Sequence, residues 1–125
     1  IFQCLTEDEV WALSTRSYAT AYQSGETIIE DGGTNQDLFV ISHGLVEVRK
    51  QGRCLTQFGP GAIVGEMALI SKSPRSASVM MAEQGEVICV PCDVYADLVD
   101  RHPEMWRDLC ALMLNRLQTP NIMSA

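Results

Sequence analysis

Long apolar runs and an excess of basic residues are both missing from this chain of 125 residues. No segment approaches the length of about 18 apolar residues that a membrane-spanning helix needs, and no signal peptide is recognisable. Nine lysines and arginines stand against 16 aspartates and glutamates, which gives a net charge of −7. A generic nucleic-acid surface is disfavoured, because phosphate-backbone binding requires a basic face. An anionic small molecule can still bind in a locally positive pocket.

Histidine is scarce, and the cysteines follow no recognisable scaffold. Five cysteines form an odd count without disulfide-scaffold spacing, so we expect reduced thiols and a cytoplasmic location. Cys89 and Cys92 have CxxC spacing, but a zinc site needs four ligands and no second pair lies nearby. His43 and His102 are interpreted as solvated loop residues. We therefore predict no metal site.

Short strand-like segments separated by turn residues fill the chain from residue 17 to residue 91. Val46 and Val48, for example, alternate with Glu47 and Arg49, as in a strand with one buried face. Seven or eight such segments recur at intervals of about 8–12 residues, which predicts a sandwich, barrel or jelly roll.

Helical patterns lie at both ends of this β-region. Thr6 and Glu9 fit a capping box, which predicts a helix over 6–16. A helix is also predicted over 92–101. Another is predicted over 103–118, because Pro103 suits the first turn of a helix and apolar residues at helical spacing follow it. The remaining residues, 119–125, are expected to be a frayed tail. The predicted architecture is one mostly β domain, 1–125, with flanking helices and a short helical turn inside 66–70.

A glutamate and an arginine stand in the otherwise apolar or small segment "GAIVGEMALISKSPRSASV", residues 61–79. Gly65 allows close approach of backbone N–H groups, and the helical turn after it offers more of them to an anion. Arg75 supplies a planar fork that matches phosphate oxygens. Glu66 only accepts hydrogen bonds, which suits a sugar hydroxyl. The pair predicts a nucleotide site, unless the two side chains form a structural ion pair.

The stretch "GEMALISKSPRSASV" closely resembles the phosphate-binding cassette of cyclic nucleotide-binding domains, Gly-Glu-x-Ala-Leu, a spacer, then Pro-Arg-small-Ala-Ser/Thr-Val. The resemblance extends to "SGETIIEDGG", "LFVISHGLVEV" and "LTQFGPGAIVGE", and covers roughly residues 1–118. It implies an eight-stranded β-roll or jelly roll over 17–91, with a cassette at 64–78 that contains a short helix. It also implies that 92–101 is a hinge helix and 103–118 a lid helix.

The resemblance implies a role for each matched residue. Glu66 would bind the ribose 2′-hydroxyl and Arg75 the exocyclic phosphate oxygens. Leu69 would relay ligand binding to the hinge helix, and Arg116 would reach the base from the lid, although it is equally suited as a solvated cation at a helix end. The backbone N–H groups implied in phosphate binding belong to Gly65, Ala68 and Ser76.

Two positions bear on the pocket and the ligand. Ser76, directly after the cassette arginine, is the residue found in several cAMP-binding members, so cAMP is expected over cGMP. Val64 stands where the family often has Phe or Ile, which changes the pocket wall slightly.

The expected function is that of a regulatory domain, not an enzyme, with no catalytic residue and no cofactor. Ligand occupancy would move the hinge and lid helices and so act on an attached effector domain or a partner protein. The chain begins with Ile1, so we expect a piece of a longer protein, cytosolic even if its parent is membrane-bound, needing no membrane contact. No winged-helix segment follows the lid, so direct nucleic-acid binding is not expected from this segment.

Two alternatives remain open. One is an interaction domain of the same fold with a lost or different ligand. The other is a cupin-like metalloenzyme, which needs about three clustered His or Glu ligands, whereas the chain has two histidines.

Overall fold

The computed structural model describes residues 5–65, 74, 75, 77–105, 107, 108 and 111. This part of the chain contains eight strands and two helices with defined bounds. The helices are α1 (Glu7–Arg16) and α2 (Cys92–Arg101), and residues 103–105, 107, 108 and 111 are also helical. The strands are β1 (Tyr18–Tyr22), β2 (Thr27–Ile29), β3 (Leu38–His43), β4 (Val46–Lys50), β5 (Arg53–Phe58), β6 (Ile63–Val64), β7 (Ser78–Met81) and β8 (Gly85–Val90).

The strands form two four-stranded antiparallel sheets, in the orders β1-β8-β3-β6 and β2-β7-β4-β5. Alternating side chains from both sheets meet in one core, which includes Phe39 and Val87 from the first sheet and Val48 and Val79 from the second. The predicted fold class, mostly β with flanking helices, is confirmed. No pattern in the sequence predicts β6, which has only two residues.

The two helices follow the patterns that predicted them. Thr6 Oγ1 accepts a hydrogen bond from Glu9 N at 3.2 Å, and Glu9 Oε1 accepts one from Thr6 N at 3.0 Å, so the capping box is present. Helix α2 coincides with the predicted hinge helix. It packs through a second apolar cluster composed of Leu38, Val90, Tyr95, Leu98 and Met105. The predicted cassette helix, most of the lid and the tail lie outside the described residues.

The interpretation of His102 as a solvated loop residue is wrong. Its side chain is only 17% exposed, and Nε2 lies 2.8 Å from both carboxylate oxygens of Glu9 in α1. Nδ1 lies 3.2 Å from Glu104 Oε1. These hydrogen bonds raise the pKa of His102 above its ordinary value of 6.5. Hydrogen bonds from Thr6 N and His102 lower the pKa of Glu9 below 4.5. The ion pair ties α1 to the end of α2.

This ion pair should make stability depend on pH. The contribution of His102 is complete below its ordinary pKa and is lost as pH rises through the raised value. The contribution of Glu9 is complete above its ordinary pKa and is lost as pH falls through the lowered value. We expect Glu9→Gln, which keeps the capping acceptor, to lower the urea midpoint at about pH 6 and to have a smaller effect at about pH 9. Asp97→Asn, in an exposed pair with Arg101, is the control. Equal effects of Glu9→Gln at both pH values would contradict the assignment.

Candidate functional site

Arg75 is the one charged side chain that is buried among the described residues, with 3% of its surface exposed. Burial of a charge is costly unless hydrogen bonds compensate for the lost water. Nη1 donates to the carbonyl oxygen of Gly65 and Nη2 to that of Asp37, each at 2.6 Å. The guanidinium therefore joins the residue that follows β6 to the residue that precedes β3.

The backbone of Arg75 is also held, by two hydrogen bonds to the loop between β2 and β3. Its N–H donates to the carbonyl of Gly33 and its carbonyl accepts from the N–H of Gly32, both at 2.8 Å. Main-chain hydrogen bonds between Arg75 and the loop that joins β2 to β3 thus fix the position of Arg75. Pro74 directly before it favours an extended backbone.

Gly65 permits the short contact with the guanidinium. Its φ is +93°, a left-handed value that residues with a Cβ seldom adopt. A Cβ at this position would lie 2.9 Å from both Arg75 Nη1 and the carbonyl oxygen of Asp37. Glycine was predicted here for close approach of an anion, and the close approach in the structure is to the arginine of the same site.

A cavity of about 330 Å³ lies beside Arg75. Ile28, Ile29 and Phe39 supply apolar surface, and a polar loop supplies the rest, including Glu30, Gly33, Thr34 and Asn35. A small cavity with an apolar wall and a few polar groups is typical of small-molecule sites. The arginine gives this cavity a positive group in a protein of net charge −7.

Comparison with known proteins decides the family. The cyclic nucleotide-binding domain family matches residues 19–102, a span that contains every strand from β2 to β8 and Arg75. The chain belongs to the cyclic nucleotide-binding domain family. The resemblance of its cassette to that family is therefore confirmed.

Three proteins similar to this cyclic nucleotide-binding domain are longer than it is. It is 36% identical over 99 residues to the Pycsar effector protein XpPycTIR of Xanthomonas perforans, covering 78% of this chain and 33% of that protein. It is 33% identical over 122 residues to Glutaminase 2 of Bradyrhizobium diazoefficiens, covering 94% of this chain and 19% of that protein. The crystal structure of the Thermus thermophilus catabolite activator protein matches with a TM-score of 0.77 and 30% identity. The match covers 94% of this chain and 57% of that chain. This chain thus spans 19–57% of the length of these relatives.

The described structure brings together two of the predicted site residues, Gly65 and Arg75. The other predicted residues lie outside the described part of the chain, so their roles stay predictions, as does any pairing between the cassette glutamate and Arg75. They are Glu66, Ala68, Leu69, Ser76 and Arg116.

No pattern in the sequence predicts the part that the β2–β3 loop plays in the site. The loop sequence "DGGTNQD", residues 31–37, is rich in turn residues and indicates only a turn. Glu30, Thr34 and Asn35 line the cavity, and Asp37 binds Arg75 through its main chain. A carbonyl oxygen exists at every position, so no side-chain pattern signals this contact.

Cys89 and Cys92 are free thiols. Within the described residues no cluster of His, Cys, Asp or Glu could hold a metal ion. In the same part of the chain, no helix combines the length and apolar character needed to cross a bilayer.

Proposed function

We propose that this domain binds a cyclic nucleotide, with cAMP preferred over cGMP, and regulates an attached or partner effector. The observation that carries the proposal is the buried guanidinium of Arg75 at the edge of the cavity of about 330 Å³. An arginine fork matches the oxygens of a phosphate diester. In a protein with excess negative charge, it gives an anion a specific place to bind.

The remaining contacts of the ligand follow from the cassette. Glu66 accepts a hydrogen bond from the ribose 2′-hydroxyl, and backbone N–H groups at Gly65, Ala68 and Ser76 donate to the phosphate. Ser76 favours cAMP. Arg116 on the lid reaches the base. No cofactor takes part, and the domain itself performs no catalysis.

Output depends on the helices that follow the β-roll. Leu69 relays cassette movement to α2, and the lid follows α2 along the chain. The relatives named above, an effector protein and a glutaminase among them, extend well beyond the matched region. An effector domain next to this one, or a partner protein in the cytoplasm, is the recipient of the signal. The domain needs neither nucleic acid nor membrane contact.

Calorimetric titration of the chain with cAMP and cGMP tests the proposal. We expect saturable binding of both ligands, with the lower dissociation constant for cAMP. A lower dissociation constant for cGMP would overturn the preference alone. Absence of binding of either ligand at millimolar concentration would overturn the proposal as a whole.

The bonds of Arg75 to two carbonyl groups also favour a second function. A guanidinium held by Gly65 and Asp37 can serve the fold alone. The domain would then be an interaction module with a lost or different ligand. Absence of cyclic nucleotide binding in the titration, with the chain folded, would select this alternative.

Glu66→Gln tests the ribose contact directly. We expect the variant to weaken cAMP binding by about 1.5–3 kcal/mol, the scale of a hydrogen bond to a charged group. It should have almost no effect on binding of 2′-deoxy-cAMP, because that ligand lacks the hydroxyl. Both affinities can be measured by calorimetry. Equal losses with the two ligands would show that Glu66 acts on the fold and not on the ribose.

A further inference from the structure

We propose that Asp37 is a positioning residue that links the anion site at Arg75 to the start of helix α2. The proposal rests on the proposed function, since it concerns how occupancy of that site reaches the hinge helix. It assigns a role to a loop residue outside the cassette.

Four hydrogen bonds converge on Asp37. Its carbonyl oxygen accepts from Arg75 Nη2 at 2.6 Å, and its N–H donates to Asn35 Oδ1 at 2.7 Å. Its carboxylate accepts from the N–H of Cys92 at 2.9 Å and from the thiol of Cys89 at 3.6 Å. Main chain and side chain of one residue therefore contact the site and the hinge helix respectively.

Helix α2 needs this carboxylate because its own N-cap supplies none. The N-cap residue is Pro91, which makes no side-chain capping bond and has no side-chain acceptor. The N–H of Cys92 is one of the donors that a helix start leaves without an intrahelical partner. Asp37, 55 residues earlier in the chain, satisfies it. A negative charge at a helix N-terminus is also favoured by the helix dipole.

Asp37 is also restrained on both sides, so its carbonyl cannot shift without moving the rest of the residue. Asn35 holds its N–H, and the next residue, Leu38, is fully buried in the cluster that contains Tyr95 and Leu98 of α2. Burial raises the pKa of the Cys89 thiol, which keeps it protonated as a donor to the carboxylate. A shift of the Asp37 carbonyl therefore displaces its carboxylate as well.

An anion in the cavity competes with the Asp37 carbonyl for the guanidinium. The bond from Arg75 Nη2 is then weakened or redirected, and the peptide that carries this carbonyl moves. The carboxylate of the same residue follows and changes its hydrogen bond to the N–H of Cys92. Because linkage is reciprocal, the state of α2 changes the affinity of the anion site to the same degree.

Hydrogen exchange of the Cys92 amide, measured by NMR on the full chain, reads this link directly. In the unmodified protein we expect saturating cAMP to change the exchange rate at least about 5-fold, within the range of coupling between sites. Asp37→Ala keeps the carbonyl that binds Arg75 and removes the carboxylate. Its Cys92 amide should exchange faster and respond to cAMP less than about 2-fold.

Two further variants separate positioning from general stability. Asp37→Asn retains an acceptor oxygen and should restore most of the cAMP response. Asp93→Ala removes another carboxylate from the first turn of α2, one that pairs with Arg16 on the surface, and should leave the response intact. The proposal is overturned if the Asp37→Ala protein keeps the full response, if Asn fails to rescue it, or if Asp93→Ala abolishes it equally.

A ligand-free comparison separates this proposal from the proposed function. Arg75→Lys removes the planar fork. As a single substitution, without ligand, it should speed hydrogen exchange of the Cys92 amide. In a protein that already carries Asp37→Ala, it should cause no further increase. Independent, additive effects of the two substitutions would overturn the link. Failure of the unmodified chain to bind cAMP or cGMP would overturn the proposed function, while the ligand-free comparison would still decide the link.

Discussion

Arg75→Ala is expected to weaken cyclic nucleotide binding by about 2–5 kcal/mol, the range for truncation of one partner in a desolvated charge pair. This range corresponds to roughly 30-fold to several-thousand-fold in the dissociation constant. The reason lies in the burial of the guanidinium, which is 3% exposed, since a charge–phosphate contact away from water is poorly screened. Calorimetric titration with cAMP measures the loss.

The same substitution leaves two carbonyl groups, those of Gly65 and Asp37, without their donor. An unsatisfied buried acceptor costs about 1–3 kcal/mol, so the free energy of unfolding should fall as well. Circular dichroism and urea unfolding must therefore accompany the titration. Arg75→Lys keeps the charge without the planar fork and is the fallback if the alanine variant does not fold.

Arg49→Ala is the matched control for Arg75→Ala. Arg49 lies on β4 in a partly exposed pair with Glu47, and such pairs contribute about 0–1 kcal/mol. We expect its loss to leave cAMP affinity unchanged. A folded Arg75→Ala protein with the affinity of the unmodified chain would show that Arg75 serves only the fold.

Much of the fold could be predicted from the sequence because its signals are local. Alternation at Val46 and Val48 and the turn residues around the strands predicted a sandwich, barrel or jelly roll. The resemblance of the cassette to the family then implied a β-roll or jelly roll. The Thr6–Glu9 capping box requires only residues three apart, and it placed α1 to within one residue. The two-residue strand β6 has too few positions for any period to be visible.

The parts that could not be predicted depend on partners far apart in the chain. His102 contacts Glu9, 93 residues away, so a histidine before a proline gave no sign of an ion pair. Arg75 and Asp37 are 38 residues apart and meet through a main-chain carbonyl. The cassette predicted that Gly65 and Arg75 belong to one site, whereas the contribution of the β2–β3 loop emerges only when the strands are assembled.

Gly65→Ala should damage the site through shape alone, without removal of any hydrogen-bonding group. A side chain in the left-handed conformation costs about 1–2 kcal/mol. At Gly65 the added Cβ would also lie 2.9 Å from Arg75 Nη1 and from the Asp37 carbonyl oxygen. Because both groups are held by short hydrogen bonds, the guanidinium has to move. We expect cAMP affinity to fall at least about 10-fold, or about 1.4 kcal/mol.

Gly61→Ala separates backbone strain from this collision. Gly61 has nearly the same φ, +89° against +93°, and a Cβ there would meet nothing within 4 Å. Both substitutions should therefore lower stability through strain, but only Gly65→Ala should lower affinity and change the ligand response of α2. Urea unfolding and cAMP titration of the two variants give both quantities. If Gly65→Ala and Gly61→Ala lower cAMP affinity equally, the packing of Gly65 against Arg75 plays no part in ligand binding. The site then does not depend on the geometry of the guanidinium.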